Sequence, residues 1–244
     1  MSTILGIDFE TTGLDLVEDR VTEVGMVLWD IPSKTPVQIS GFLVKTPKPI
    51  TEEITKLTGI TREMLDAFGV EEPKALKAVE QFVRKTDYVM AHNGADFDKP
   101  LLENWLAREK VELPAKTWID SKTDLPAAAY QKSAGLKYMA ADHGFLYDGH
   151  RAVNDVLAML KILSFYDVET VIERAKQPTI HVQAMVTFDT NKLAKERGYH
   201  WKPETKQWVK PIKANELEQE EKEAKFRIRV LSEVQKPEPE KKLA

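Results

Sequence analysis

Gly6-Ile7-Asp8-Phe9-Glu10-Thr11-Thr12-Gly13, the run GIDFETTG at residues 6–13, sets two carboxylates one residue apart in an otherwise apolar segment. A strand sends successive side chains to opposite faces, so Ile7 and Phe9 point into the protein while Asp8 and Glu10 share the other face. Two like charges held side by side repel. A cation between them removes the conflict, and a metal ion is the obvious candidate.

The segment is the first of three strand-like runs, TILGIDFE (3–10), VTEVGMVLWD (21–30) and QISGFLVK (38–45), separated by turn-rich pieces containing Gly13, Asp19, Pro32 and Pro36. Such short connections favour antiparallel neighbours. Helical patterns follow at TEEITKLTGI (51–60), with Thr51 as cap, and at PKALKAVEQFVRK (73–85), where Leu76, Val79, Phe82 and Val83 recur at helical spacing behind Pro73. DYVMAHN (87–93) and TWID (117–120) read as the fourth and fifth strands. Helices are expected over 99–108, LKYMAADHG (136–144) and AVNDVLAMLKILSFYD (152–167). Three strands followed by alternating helix and strand predict an α/β fold, a mixed sheet with helices on both faces.

The pattern changes near Gln177 and Pro178. TIHVQAMVTF (179–188) alternates as a strand, NKLAKERG (191–198) is a short helix, and YHWKPETKQWVKP (199–211) reads as a hairpin around Pro203 and Glu204. ANELEQEEKEAKF (214–226) is charged and helix-prone, and RIRVLSE (227–233) is a last strand. The expected organisation is a domain over 1–177, a small α+β unit over 178–235, and a disordered tail over 236–244. In the small unit Phe188, Tyr199, Trp201, Trp208 and Phe226 lie among lysines and arginines. Such aromatics can stack on bases or form the unit's own core, and Trp201 can meet Trp208 across the hairpin.

Composition narrows the chemistry. The 244 residues include no cysteine, which excludes disulfides, thiolate zinc sites and a cysteine nucleophile. The net charge of −4 is unlike that of a protein that coats nucleic acid nonspecifically, but the distribution is uneven. Residues 1–177 hold 21 Lys/Arg against 28 Asp/Glu, whereas 178–235 hold 11 against 9. With no basic leader and no run near 18 apolar residues, the expectation is a cytoplasmic protein without membrane contact.

Two further clusters accompany the first. AHNGADFDKPLL (91–102) carries Asp96 and Asp98 between a strand and a helix, where open α/β sheets commonly place ligands. GHRAVNDVLAML (149–160) carries His150 and, five residues on, Asp155, expected on the second turn of a helix that starts after the histidine. Singly these are weak signals, since a strand-end aspartate is commonly a cap. In this order they resemble the DEDDh exonucleases, the DnaQ-like family of the bacterial polymerase proofreading subunit and exonuclease X. The resemblance rests on Asp8-Phe9-Glu10-Thr11-Thr12-Gly13, on His92, Asn93, Phe97 and Asp98, and on His150 with Asp155, and it covers residues 3–168.

The resemblance implies a ribonuclease H-like fold and a 3′→5′ exonuclease that releases nucleoside 5′-monophosphates. It selects Asp98 over Asp96, because the family's ligand follows an aromatic residue directly, and it leaves Asp148 out because that residue precedes the histidine. It implies two divalent cations, Mg²⁺ or Mn²⁺, with Asp8 bridging them, Glu10, Asp98 and Asp155 completing the site, and His150 as general base. Thr11 and Thr12 would meet the terminal 3′ hydroxyl, Leu14 the last base, and His92 and Asn93 would support the cleft. The expected partner is nucleic acid with a free 3′ end, DNA in preference to RNA, with a polymerase or repair complex as a protein partner. The alternatives are an exoribonuclease, a noncatalytic exonuclease-like scaffold whose signature would be lost ligands, and a binding module led by the C-terminal unit.

Overall fold

A computed structural model describes residues 2–130 and 133–233; the 236–244 tail expected to be disordered lies outside them. The chain divides into two compact units between Ala175 and Lys176.

In the first unit β1 (Thr3–Thr11), β2 (Val21–Asp30) and β3 (Thr35–Leu43) form an antiparallel meander. β4 (Tyr88–Ala91) pairs parallel to β1 and β5 (Thr117–Asp120) parallel to β4, giving a mixed sheet of order β3-β2-β1-β4-β5. Between β3 and β4 lie α1 (Glu52–Thr58), α2 (Arg62–Phe68) and α3 (Glu72–Lys85). Thr51 and Thr61 cap the first two, each accepting a backbone N–H three residues on. α4 (Asp98–Glu109) connects β4 to β5, and α5 (Leu136–Asp142), α6 (Ala152–Leu163) and α7 (Val168–Lys176) follow. The helix expected over 152–167 ends at Leu163, and α7, which begins beyond that range, was not anticipated. α2 was not anticipated.

Strand alternation builds two cores. Leu5, Ile7, Phe9, Val24, Met26 and Val89 pack with Leu76 and Val79 of α3 and Leu101 and Trp105 of α4. Ile4, Val27, Trp29, Met90 and Ile119, on the opposite face, pack with Met139 of α5 and Val156, Met159, Leu160 and Leu163 of α6. Asp8 and Glu10 belong to this second face, beyond the N-terminal end of α6. Glycines let that helix lie close: a Cβ on Gly6 would stand 2.6 Å from Val156 Cγ1, and one on Gly25, the register partner of Asp8, 2.3 Å from the Ala152 carbonyl carbon.

The second unit is a four-stranded antiparallel sheet of order β7-β8-β6-β9, built from β6 (Thr179–Met185), β7 (His200–Lys202), β8 (Gln207–Lys213) and β9 (Arg227–Glu233), with helices α8 (Asn191–Glu196) and α9 (Leu217–Glu223). Ile180, Val182, Ala184, Ala194, Tyr199 and Ile212 form its core. Tyr199 is buried edge-on against Phe226, and Trp201 meets Trp208 across the hairpin at 5.8 Å between ring centroids. Phe188 is instead 89% exposed. Among the described residues no helix is long and apolar enough to cross a membrane.

Candidate active site

Asp8 and Glu10 project from β1 as alternation requires, and α6 brings the third carboxylate. Its N-terminus lies over Gly25, so Asp155, on the first turn of α6 rather than the second, reaches the end of the sheet. One carboxylate oxygen from each of Asp8, Glu10 and Asp155 lies within 4.8 Å of the others. Asp98 falls outside that spacing but borders the same site. It is 2% exposed, and its Oδ1 accepts the backbone N–H of Phe9 at 3.2 Å. The alternative Asp96 is exposed.

The electrostatics of the group are unfavourable for four anions. Burial, then the charges of Asp98, Asp155, Glu10 and Glu23, raise the Asp8 pKa well above the ordinary carboxylate range. Burial raises Glu10 to about 7, helped by Asp155 and Glu23 and opposed by Arg151. Asp98 is pushed up to about 8, chiefly by burial, and Asp155 is raised for the same reason despite its hydrogen bonds. Clustered oxygen donors at one open end of a sheet, each costly to ionise alone, fit a hard divalent cation, which would replace mutual repulsion by attraction.

Several residues that hold this group escaped the sequence reading. Glu23 of β2 pairs in register with Glu10, is 5% exposed, and accepts Arg151 Nη2 at 2.7 Å, Arg151 Nε at 3.1 Å and the Ala152 N–H at 3.0 Å. It therefore fastens the start of α6 to the sheet. Tyr147 Oη donates to Asp155 Oδ1 at 2.9 Å, and the Arg151 N–H donates to Oδ2 at 3.1 Å, which fixes the carboxylate plane. Asp120, at the end of β5, accepts the backbone N–H groups of Asn93 at 2.9 Å and Ala95 at 3.1 Å. That ties down the six-residue loop between Ala91 and Asp98. The signals were thin: one charged side chain in the apolar run VTEVGMV, an aspartate closing TWID, and a tyrosine three residues before His150.

The remaining expected residues divide. His150 is exposed, with φ of 63°, on the loop leading into α6. Leu14 is 83% exposed rather than buried in the core. Thr12 is buried, and its Oγ1 donates to Asp19 Oδ1 at 2.7 Å, while Lys48 Nζ bridges the same oxygen at 2.6 Å. Its hydroxyl thus holds the 12–19 loop. Thr11 Oγ1 donates to the Gly13 carbonyl, leaving the backbone of this turn as the part that can face a ligand. His92 is paired through Nδ1 with Ser121 Oγ at 2.8 Å, and burial together with Lys122 lowers its pKa to about 4. Asn93, with φ of 62°, accepts Lys122 Nζ through Oδ1 at 2.7 Å. Both shape the loop before Asp98.

Comparison with known proteins bears on the family and the fold. The chain is 34% identical over 158 residues to the DNA polymerase III PolC-type of Thermotoga maritima, covering 63% of this chain and 11% of that protein. It is 29% identical over 165 residues to the DNA polymerase III subunit epsilon of Treponema pallidum, covering 64% and 73%. The chain spans only about a tenth of the length of the PolC-type relatives that it matches. Among solved structures, E. coli exonuclease I in complex with a dT13 oligonucleotide superposes with a TM-score of 0.62 at 18% identity, covering 75% of this chain and 48% of that one. A further exonuclease I structure reaches 0.66 at 17% identity, covering 87% and 63%. These likenesses establish the ribonuclease H-like fold. Residues 5–163 match the RNase_T exonuclease family, and the chain belongs to that family of DnaQ-like exonucleases.

Proposed function

We propose that this protein is a metal-dependent 3′→5′ exonuclease acting on DNA and releasing nucleoside 5′-monophosphates. The observation that carries the reading is the convergence of Asp8, Glu10 and Asp155 oxygens within 4.8 Å, bordered by buried Asp98, in a chain of the exonuclease family. DNA is favoured because the relatives are DNA polymerase III proteins and exonuclease I is known with DNA oligonucleotides.

In this reading Asp8, Glu10, Asp98 and Asp155 hold the cations, with Asp8 central because it feels the other three charges. When bound, a pair of divalent cations supplies Lewis-acid stabilisation of phosphate charge and lowers the pKa of water. His150 takes the proton from the attacking water; its exposure leaves the imidazole free to pass that proton to solvent. Tyr147 and the Arg151 N–H keep the Asp155 carboxylate from rotating. The turn at Thr11 and Thr12, braced by Asp19, presents backbone to the terminal 3′ hydroxyl, and exposed Leu14 lies against the last base. A polymerase is the proposed protein partner, in line with the DNA polymerase III relatives.

The test is a substrate panel with Mg²⁺, Mn²⁺ or chelator: DNA and RNA of one sequence, each ending in a 3′ hydroxyl or a 3′ phosphate. Nucleoside 5′-monophosphates should appear from 3′-hydroxyl DNA, faster than from RNA, and not with chelator. Preferential RNA degradation would assign the protein to exoribonucleases.

A further inference from the structure

The C-terminal unit packs one sheet face and leaves basic residues on the other. Ile180, Val182 and Ala184 of β6, Trp208 and Ile212 of β8 and Ile228 of β9 belong to or pack on its core. Alternation therefore turns the intervening residues the other way. The pairing places His200, Val209, Gln183 and Arg229 in one row across all four strands, with the pairs Lys202–Gln207 and Met185–Arg227 on the same face beside it. None of these eight is acidic, and Lys202, Arg227 and Arg229 are exposed.

Arg197, Lys210, Lys222 and Lys192 on the helix side contrast with these, each having an acidic partner. Arg197 and Lys210 are both bound by Glu220, at 2.9 Å each, and Arg197 also by Glu223. Lys222 and Lys192 face acids one turn away. Among the described residues no ion pair involves Lys202, Arg227 or Arg229, so uncompensated positive charge collects at the two exposed edge strands of this face, on either side of Val209, which is buried. Met185, paired with Arg227 on this face, is half exposed and adds apolar surface there.

We propose that this face, Lys202, Arg227 and Arg229 with Met185, is a binding surface for single-stranded polynucleotide. The charges would track phosphates about 14 Å apart from edge to edge, four strands at the usual spacing, while Met185 packs against a base. The choice of a polyanion rests on charge complementarity, and the choice of nucleic acid over an acidic protein rests on the exonuclease reading above. Trp201 and Trp208, on the opposite face, have no part in it.

The test measures binding of the full chain to fluorescein-labelled dT30 by anisotropy, in chelator to suppress cleavage, across a salt series. The triple variant Lys202→Gln, Arg227→Gln, Arg229→Gln should bind about 10- to 100-fold more weakly at 0.1 M salt, and its log–log salt slope should flatten by about 2, near 0.7 for each lost phosphate contact. Lys192→Gln with Lys195→Gln on α8, and Trp201→Ala, should keep the parental slope. The variant's Mg²⁺-dependent cleavage of a four-nucleotide DNA should be unchanged, and an unaltered melting temperature shows that it folds. An unchanged salt slope overturns the proposal, as does tighter binding of a poly-glutamate peptide than of dT30. A chain that binds DNA through this face without cleaving it would refute only the catalytic reading.

Discussion

At the scale of single residues, the opening conflict between Asp8 and Glu10 is enlarged by Asp98 and Asp155, and four carboxylates are raised together. Asp8→Asn should reduce metal-dependent cleavage to background while stabilising the metal-free protein at pH 8, because it removes a buried charge that Asp98, Asp155 and Glu10 repel. Urea unfolding in chelator checks this, and a destabilised Asp8→Asn would mean that the charge is compensated by the fold itself. Tyr147→Phe removes only the hydroxyl that donates to Asp155. About a 10- to 100-fold loss in metal affinity or activity is expected, read by Mg²⁺ titration of the rate. His150→Ala should lower turnover by about 10² to 10⁴ with little change in the Mg²⁺ midpoint. Recovery by added metal would instead make His150 a support of the cation site.

At the scale of elements, the site depends on how closely α6 lies on the sheet. Gly25→Ala would put a methyl 2.3 Å from the Ala152 carbonyl carbon, so the helix start must move. A loss of about 1–3 kcal/mol in stability is expected, with a larger fractional loss of activity because Asp155 moves with the helix. Thermal melting and initial rates measure both. The same element shows how far the sequence can be read. Asp8 and Glu10 were legible because strand alternation is local, and Asp155 because its spacing from His150 is. Glu23, 128 residues from the Arg151 that it binds, and Asp120, 27 from Asn93, act through contacts that no local period encodes. The end of α6 at Leu163 was hidden because SFYD continues an apolar pattern, although the chain turns there, with Asp167 accepting the Thr170 N–H at the start of α7. α2 is only seven residues, set by its Thr61 cap, and too short for periodicity to reveal.

At the scale of the whole molecule, the raised carboxylates make stability depend on pH in a definite direction. Glu10 near 7 and Asp98 near 8 hold protons in the metal-free folded chain that the unfolded chain releases near pH 4. Unfolding free energy should therefore be greatest below about pH 4.5, as far as these groups are concerned, and fall as pH rises towards 8. Mg²⁺ should oppose the fall increasingly with pH, since it binds the deprotonated site. Melting curves with Mg²⁺ or chelator from pH 5 to 8.5 check the sign. The most direct test of the central claim, that this carboxylate group drives hydrolysis from a 3′ end, is the cleavage pattern of 5′-labelled single-stranded DNA with Mg²⁺, beside Asp8→Asn. The parental chain should give a ladder shortening one nucleotide at a time from the 3′ end, and the variant or chelator should leave the DNA intact. Immediate release of a labelled mononucleotide from the 5′ end, or an undiminished ladder with Asp8→Asn, would contradict the claim.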